Sequence, residues 1–468
     1  MMTATGAGVL PASAVVERAL GLSRADEAVV IVTDEYDASL RWAGNSMTTN
    51  GASVARRWSV VSVLREGPRS ARVGSVASTS VDPADIEAVV RASEDAAAAA
   101  EPARDAMPLL DAQTVAVAPD WEQAAATTGI EVFSGLVADL STGFDGADRL
   151  YGFAHHQVHT TWLGTSTGVR RRYTQPTGSV EINGKRGEGT ELSSAWVGAG
   201  TTDFTDVDIP GLLAEVSRRL DWSARRVDLP AGRYETLLPP STVADLLIYM
   251  YWSMEGRAAQ EGHTAFSAPG GTRIGEKLTD IPLTLSSDPT APGLECLPFV
   301  ATQASSETVS VFDNGMPAQR VDWLRDGTIA DLAYPRATAA DYGVSPTVPV
   351  QNLLLTGGSS ATLDEMIART ERGLLLTTLW YIREVDPATL LLTGLTRDGV
   401  FLVEDGAVTA AVNNFRFNES PLDLLRRIGE AGATEQTLPR EWKDWFTRTA
   451  MPPLRIPDFH MSSVSRAT

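Results

Sequence analysis

Cysteine and histidine are rare in this sequence: its 468 residues include one cysteine, Cys296, and five histidines. A secreted protein of this size usually carries paired cysteines, so a single cysteine favours a reducing compartment. The N-terminal stretch also lacks the basic start and apolar run of a signal peptide. We therefore expect a cytoplasmic protein in which Cys296 is a small buried hydrophobic residue rather than a reactive thiol or a metal ligand.

Basic residues are also in short supply, with 39 Lys and Arg against 59 Asp and Glu and a formal net charge of −20. A surface that binds phosphate groups needs a basic footprint, yet the densest basic stretch is the short run 170–172. The longest apolar stretch, 243–254, contains Asp245 and falls short of the roughly 20 residues that span a bilayer. We expect neither nucleic acid nor a membrane as a partner.

The remaining composition, 43% hydrophobic and 21% charged, is that of an ordinary globular protein. The length allows two or three domains. The pattern of short strands, turns and a few helices predicts an α+β fold. We expect an N-terminal α/β domain with a small antiparallel sheet over 1–110, a middle region of helix and strands over 111–228, and a C-terminal β-rich domain with a buried helix over 229–468.

Local signals place the elements of the first two regions. The pair Asn50-Gly51 predicts a turn between strands. Asp82 is the expected N-cap of a helix rich in alanine. A linker rich in Ala, Pro and Asp over 102–119 is followed by a second predicted helix over about 120–140.

In the C-terminal region, Thr242 and Asp245 resemble a capping box at the start of a helix over 243–261. Gly373 is expected to end a further helix over 363–372. Alternating patterns predict strands at 308–312, 320–325, 350–355, 399–404 and 407–412.

The helix over 243–261 changes character along its length. It begins with apolar side chains on nearly every face, which is typical of a helix buried on all sides. From Glu255 onwards it turns polar and small. We therefore expect the helix to leave the core and to emerge at a surface or cavity.

Several short motifs follow one another along the chain, and their order and spacing matter more than any one of them. They are Arg41-Trp42-Ala43-Gly44-Asn45, Glu255-Gly256 with Gly262-His263-Thr264-Ala265-Phe266-Ser267, Phe312-Asp313-Asn314-Gly315-Met316-Pro317, Asn352-Leu353-Leu354-Leu355 with Leu363-Asp364-Glu365-Met366-Ile367, and Phe401-Leu402-Val403-Glu404-Asp405-Gly406. Together they resemble the TldD/PmbA family, long labelled modulators of DNA gyrase, over about residues 15–430. Because the chain is acidic and has no basic groove, we expect it to act on peptides, and any effect on gyrase to be indirect.

The catalytic branch of that family is similar to a zinc peptidase with H-E-x-x-x-H on the helix described above. In such a site two imidazoles bind zinc and a carboxylate deprotonates the bound water. The resemblance implies that the third zinc ligand is a cysteine in the C-terminal region. Counting back from Glu255 places these positions at Leu247, Ile248 and Trp252, none of which is a ligand or a base. Cys296 lies well before the expected third ligand.

The resemblance therefore points to the non-catalytic TldE/PmbA branch. We expect no catalytic residue, metal ligand or cofactor in this chain, and zinc in a partner subunit. The three degenerate positions are expected to be refilled by side chains that pack in the core.

The histidines offer one other metal site to consider. On a strand, His155 and His159 share a face but lie about 13 Å apart at about 3.3 Å per residue, so we expect polar or inter-strand contacts rather than a metal site. The substrate-path candidates are Glu255, Arg257 and His263, near the end of the helix. Exposed loop or surface positions are the alternative interpretation of these three residues.

These observations lead to the hypothesis that this chain acts together with a second subunit. The resemblance implies a heterodimer in which a TldD-like zinc peptidase subunit cuts the peptide while this chain closes the chamber and guides an extended substrate. The alternative is a homodimeric peptide-binding or scaffold protein without peptidase activity. A third hypothesis, an independent hydrolase using Ser166 in Gly164-Thr165-Ser166-Thr167-Gly168, lacks the strand-to-helix context of a nucleophile elbow.

Overall fold

In the computed structural model of the chain, which describes residues 9–112, 117–189, 192–397 and 399–465, six antiparallel strands form an N-terminal sheet. The order across the sheet is third, second, first, fourth, fifth and sixth strand. Buried and less buried residues alternate along the fourth and fifth strands, as expected where one face packs on helices. The strands are β1 (Glu27–Ala43), β2 (Met47–Gly67), β3 (Ser70–Ser78), β4 (Arg149–Thr165), β5 (Arg170–Arg186) and β6 (Ser193–Thr201).

Four helices cover one face of this sheet: α1 (Ala12–Leu22), α2 (Asp85–Ala99), α3 (Ser134–Phe144) and α4 (Ile209–Trp222). Val30 of β1 packs with α1 and α2, and Trp42 of β1 packs with α3 and α4. The other face begins with Val29, which packs against Phe299 and Phe312 of the C-terminal region. The sheet therefore has its helices on one side and the rest of the molecule on the other.

The predicted turn at Asn50-Gly51 is wrong, because both residues lie inside β2 and pair with β1. The turn instead lies at 44–46, where Gly44 and Asn45 have φ angles of 60° and 62°. Gly and Asn are the residues that tolerate this left-handed backbone. The hairpin is longer than the sequence signal indicated.

Two helix starts also differ from the prediction. Asp82 is not the N-cap of α2; its Oδ1 accepts a hydrogen bond of 2.9 Å from the Ala84 N–H in a turn before the helix. The helix predicted over 120–140 is a 3₁₀ turn at Ile130–Phe133 followed by α3. The β-branched and glycine residues at 127–129 disfavour an earlier start.

The C-terminal region contains two larger sheets and one short hairpin. The strands are β7 (Arg226–Val227), β8 (Gly232–Leu238), β9 (Ser267–Ala268), β10 (Gly271–Thr272), β11 (Thr284–Ser287), β12 (Val321–Arg325), β13 (Thr328–Ile329), β14 (Leu353–Thr356), β15 (Arg372–Leu376), β16 (Leu379–Asp386), β17 (Leu391–Thr396), β18 (Val400–Glu404), β19 (Ala407–Val412), β20 (Phe415–Glu419), β21 (Glu430–Ala431), β22 (Glu435–Thr437), β23 (Thr449–Met451) and β24 (Leu454–Val464). One sheet has six strands in the order β13-β12-β11-β14-β23-β22, and the other has ten, in the order β16-β17-β20-β24-β8-β15-β18-β19-β7 with β21 beside β24.

The helices of this region are α5 (Pro240–Trp252), α6 (Gly256–Gln260), α7 (Arg336–Tyr342), α8 (Leu363–Ala368) and α9 (Pro421–Arg426). Helix α5 shares one hydrophobic core with both sheets, represented by Leu285 of β11 and Phe417 of β20. This arrangement confirms the predicted α+β fold with a C-terminal β-rich region and a buried helix. None of the helices in the described part of the chain has the length and apolar composition needed to cross a membrane.

Some C-terminal elements were predicted well and others were not. The predicted strands at 320–325, 399–404 and 407–412 correspond to β12, β18 and β19, and 350–355 shifts to β14. The strand at 308–312 is wrong, since Val311–Asp313 forms a 3₁₀ turn.

The helix predicted over 363–372 is shorter than expected. Helix α8 ends at Ala368 after starting at a capping box between Thr362 and Glu365. Gly373 does not end this helix but lies in β15, where an added Cβ would sit 2.9 Å from the Glu235 carbonyl oxygen. The absence of a side chain at Gly373 therefore allows β15 to lie close to β8.

The division into three domains stays a prediction, but the strand pairing is clear. Strand β1 pairs with β4 from Val29 to Ala43, so the predicted regions 1–110 and 111–228 share one sheet. The predicted linker over 102–119 includes residues 113–116, which lie outside the described residues.

Candidate functional site

The helix that carries the motif positions is interrupted. The predicted helix over 243–261 consists of α5 and α6, separated at 253–255. At this break the Ala333 N–H donates to the Met254 carbonyl oxygen, and the Gly256 N–H donates to the Ala333 carbonyl oxygen, each at 2.9 Å. A Cβ on Gly256 would lie 2.3 Å from the Tyr334 ring, so the close approach depends on glycine.

Two of the three motif positions are buried and one is not. Leu247 is 3% exposed and Ile248 0%, and both belong to the main C-terminal core. Trp252 is 39% exposed, so the expectation that it packs in the core is wrong. As the last residue of α5, it lies at the surface with its ring centroid 5.0 Å from that of Trp442.

The predicted capping box at the start of α5 is wrong as well. The helix starts at Pro240 after Pro239, and the Thr242 hydroxyl donates to the Leu376 carbonyl oxygen at 2.9 Å. Asp245 is 1% exposed, and its Oδ1 accepts a hydrogen bond of 2.9 Å from the Glu441 N–H. Burial raises the pKa of the Asp245 carboxyl well above its usual value, although the Glu441 N–H opposes this shift.

Glu441 links α5 to β16, because its backbone binds Asp245 and its side chain binds β16. Its Oε1 accepts a hydrogen bond of 3.1 Å from the Ile382 N–H, next to a register shift in the β16–β17 ladder. Tyr381, which precedes Ile382 in β16, has a φ of 54° and is 56% exposed. A left-handed aromatic residue is uncommon, and such strain persists only where surrounding contacts enforce it.

A groove of about 570 Å³ lies between the end of α5 and β16. Tyr249, Trp252 and Trp442 supply aromatic walls, and Glu255 and Glu384 supply carboxylates. Aromatic surfaces with a few polar groups are typical of binding sites. The groove, which we call the α5 groove, is therefore the candidate site for a substrate.

Burial and neighbouring negative charges raise the pKa values of both carboxylates of the α5 groove. Burial raises the pKa of Glu255, and the negative charges of Glu307 and Glu384 raise it further. Burial, with a smaller effect of Asp386, also raises the pKa of Glu384. The groove therefore places two carboxylates next to aromatic rings, and Arg383, which also lines it, lies 3.7 Å from Glu441 Oε1.

The structure brings together two of the three substrate-path candidates. Glu255 and His263 both line the α5 groove, and the His263 side chain is 69% exposed. Arg257 is not part of the lining; its Nη2 binds Asp341 Oδ2 at 2.7 Å and the Arg257 side chain is largely buried. Its role is to tie α6 to α7.

Two of the three histidines of β4, His155 and His159, lie on either side of the Asp37 carboxylate. The Nε2 atoms of His155 and His159 lie 3.4 Å and 3.8 Å from Asp37 Oδ1, and the Gln157 amide donates to the same oxygen at 2.7 Å. Burial lowers the pKa of His155, although Asp37 opposes this shift. The contacts join β4 to β1, and within the described residues no three His, Cys, Asp or Glu side chains are arranged to hold a metal ion.

Ser166 and Cys296, the two remaining candidates for a reactive side chain, lie in a turn and in the core. Ser166 lies in the turn between β4 and β5, and its Oγ accepts a hydrogen bond of 2.9 Å from the Ala28 N–H. This is a strand–turn–strand context, not a nucleophile elbow. Cys296 is fully buried, as expected, and burial raises the pKa of its thiol to about 11.

Several residues near the site were missed by the sequence reasoning. Asp245 was interpreted as a cap, although a lone carboxylate in an apolar helix signals a specific buried contact. Tyr381, Glu441 and Trp442 carried no local signal, because their roles depend on contacts between distant parts of the chain.

Comparisons with known proteins agree on the fold. A family model described as PmbA/TldA metallopeptidase C-terminal domain matches residues 231–463. The solved structure of TldE from Thermococcus kodakarensis is 16% identical with a TM-score of 0.76, covering 96% of this chain and 98% of that one. No curated protein matches the chain.

Two further solved structures share the fold, both described as modulators of DNA gyrase. The one from Bacteroides thetaiotaomicron is 18% identical with a TM-score of 0.74, covering 97% of this chain and 98% of that one. The one from Thermotoga maritima is 14% identical with a TM-score of 0.72, covering 96% and 99%. At these identities the likeness concerns the fold along nearly the whole chain.

Proposed function

The chain belongs to the TldD/PmbA family, and from this premise we propose that it is a non-catalytic, cytoplasmic subunit of a TldD/TldE-type zinc peptidase complex. Its partner is a TldD-like subunit that carries the zinc. The substrates are unfolded or precursor peptides.

The observation that carries this proposal is the chemistry of α5. A catalytic zinc site needs nitrogen, sulfur or oxygen ligands and a base beside the metal-bound water. The corresponding positions here are the buried hydrocarbons Leu247 and Ile248 and the surface indole of Trp252. These side chains do not fit a zinc ion, so we assign no step of peptide hydrolysis to this chain.

The α5 groove supports a role in holding substrate. Its aromatic walls bind side chains of an extended peptide, while its clustered carboxylates favour cationic groups. The groove also adjoins the end of the helix on which a catalytic relative would carry its ligands. A chain that lacks ligands at this place still contributes a wall to a shared chamber.

A second feature supports association with another polypeptide. Residues 47–57 of β2 pair with β1 on one side, whereas β3 pairs only with residues 58–67. In the described residues this outer edge has no neighbouring strand, and nearly every residue along it is exposed. Natural proteins usually protect such edges with charges, bulges or proline, and an open edge accepts an added strand.

The decisive experiment co-expresses this chain with a TldD-like zinc protein and compares each alone with the pair. We expect copurification, zinc in the partner only, and peptide cleavage that needs both chains. A partner variant without its zinc-binding histidines serves as the matched control, because it should still bind this chain but not cut. Failure of the two chains to associate would contradict the proposal.

The alternative is a homodimeric peptide-binding protein, and the open β2 edge is the observation in its favour. An antiparallel edge pairs with its own copy around a two-fold axis. Light scattering of the chain alone and with the zinc subunit separates the two. A stable homodimer that does not bind the zinc subunit would favour the alternative.

A further inference from the structure

Residues 47–57 of β2 form an open edge of the N-terminal sheet, which we call the β2 edge. On one side their backbone pairs with β1, while β3 pairs only with 58–67. On the other side, no backbone group from elsewhere in the described residues hydrogen-bonds to them. At about 3.3 Å per residue, the β2 edge is roughly 35 Å long.

Two other edges of the same sheet have cover from the chain itself. The Ala103 N–H donates to the Ala71 carbonyl oxygen of β3 at 2.8 Å. Arg219 Nη1 donates to the Trp196 carbonyl oxygen of β6, also at 2.8 Å. Within the described part of the chain the β2 edge has no such contact, so a second polypeptide is needed to complete it.

The β2 edge also lacks the features that usually keep an edge from pairing with another strand. Residues 47–55 include no proline and no charged side chain, and all of them are exposed. The β1–β2 register is regular along 50–63, so no bulge turns the edge away. The two charged residues, Arg56 and Arg57, form ion pairs within the sheet. Natural proteins usually protect an exposed edge by such features.

The two faces of the β2 edge differ in chemistry. On the helix side, Val54 is 62% exposed, and the 3₁₀ turn at Ile130–Phe133 lies against β1 and β2 with Ile130 44% exposed. On the opposite face, Ser53 pairs with Asp37 of β1. Side chains alternate between the faces of a strand. The β2 edge therefore fits a strand with apolar side chains on the helix side and polar ones on the other.

We propose that the β2 edge binds the zinc subunit by addition of an antiparallel strand whose apolar side chains face Val54 and Ile130. This inference rests on the proposed function, because the partner is the zinc subunit of that complex. A subunit of the same family presents an equivalent edge, and two equivalent edges related by a two-fold axis run antiparallel. Main-chain hydrogen bonds then supply the affinity, and the alternating side chains supply the specificity.

The charge of the chain disfavours a second copy as the occupant. Each chain carries a formal net charge of −20. A net charge far from zero keeps a protein monomeric, because two copies repel each other. A distinct subunit avoids this repulsion where its own surface is less acidic.

Amide hydrogen exchange of the isolated chain and of the pair locates the contact. In an antiparallel ladder, hydrogen-bonded and non-hydrogen-bonded positions alternate, so about every second amide over 47–57 is free in the isolated chain. We expect these amides to exchange at least about a hundredfold more slowly in the pair. Unchanged exchange over 47–57 in a pair that has formed would overturn the proposal.

Variants test whether strand addition causes the protection. Ser53→Lys combined with Val54→Lys places one charge on each face of the β2 edge, and an added strand would partly bury both. We expect binding of the zinc subunit to weaken at least about tenfold. Ser53→Asp with Val54→Asp should weaken it as well, whereas a loss with one sign of charge alone would indicate a charge contact and overturn strand addition.

The matched control replaces another adjacent serine and valine on a strand. Ser463 and Val464 of β24 are both exposed, and Ser463→Lys with Val464→Lys should leave the affinity unchanged. Circular dichroism checks that each variant folds. Should the β2 variants fail to fold, hydrogen exchange of the native pair still decides the question.

The outcomes separate this inference from the proposed function. If the two chains do not associate, the proposed function fails and the inference fails with it. If they associate and cut peptides while 47–57 stays unprotected, the inference alone fails. Protection that grows with the concentration of the isolated chain, and does not change when the zinc subunit is added, would assign the β2 edge to a second copy and overturn the inference.

Discussion

Asp245 in the middle of α5 accepts a hydrogen bond of 2.9 Å from the backbone N–H of Glu441, which lies 196 residues away in the sequence. The indole of the next residue, Trp442, donates to the Asp245 carbonyl oxygen at 2.8 Å. The same residue of α5 thus fixes the segment that forms one wall of the α5 groove. This relationship makes Asp245 a structural residue with a measurable pH dependence.

The pKa of Asp245 is raised by burial, so the folded protein holds the proton more tightly than the unfolded chain. Stability from this group is full below about pH 4 and is lost as the pH rises towards the folded pKa. Asp245→Asn keeps the acceptor for Glu441 and removes the cost of ionisation. We expect its advantage in unfolding free energy to grow by roughly 1.4 kcal/mol per pH unit in that window.

Urea unfolding at pH 5, 6 and 7 measures this difference. Asp139→Asn changes an exposed carboxylate on α3 and is the matched control, with no such trend expected. Asp245→Ala should instead destabilise at every pH by about 1–3 kcal/mol, because it leaves the Glu441 N–H unpaired. A difference between Asp245→Asn and wild type that stays constant with pH would contradict the argument.

The motif positions of α5 should differ sharply in their tolerance of truncation. Ile248→Ala opens a cavity in the core and is expected to lower the unfolding free energy by about 2–5 kcal/mol. Trp252→Ala removes a ring that is 39% exposed, so its cost should be smaller although the side chain is larger. Chemical denaturation of both variants provides the check, and a larger loss in Trp252→Ala would show that its ring is part of the core.

Local sequence signals predicted the elements whose geometry is local. The β18–β19 hairpin follows from Asp405-Gly406, which have φ angles of 49° and 81° in the turn. The break between α5 and α6 could not be predicted in this way, because it depends on hydrogen bonds with Ala333. The intrinsic preference of 243–261 is helical throughout, and tertiary contacts override it at three residues.

The same distinction explains the candidate site. The burial of Leu247 and Ile248 could be predicted from the apolar start of the helix. The α5 groove could not, because β16 and Trp442 reach the end of α5 only in the folded chain.

In the proposed complex, the α5 groove should affect substrate binding more than the chemical step. Trp252→Ala removes an aromatic wall, and we expect a several-fold increase in KM of the pair with little change in kcat. Glu255→Gln should weaken binding of peptides with a lysine at the affected position while leaving neutral peptides unaffected. Steady-state kinetics with matched lysine and norleucine peptides measure both effects.

The control for the groove variants is Val137→Ala, at an exposed position on α3 away from the groove. It should match wild type for both peptides. A fall in kcat at unchanged KM in Trp252→Ala would instead indicate that this residue acts on the chemical step of the partner.

Cys296 provides a single-site probe of opening in the C-terminal region. Its side chain is fully buried and burial raises the pKa of the thiol to about 11, so the reactive thiolate is scarce at pH 8. We expect native protein to react with a thiol reagent such as 5,5′-dithiobis(2-nitrobenzoic acid) at least about a hundredfold more slowly than the urea-unfolded chain, because modification requires an opening reaction. Ile248→Ala should accelerate the reaction if the core around α5 opens together with the Cys296 segment, whereas Val137→Ala should not. Rapid modification of the native protein would contradict the burial of Cys296.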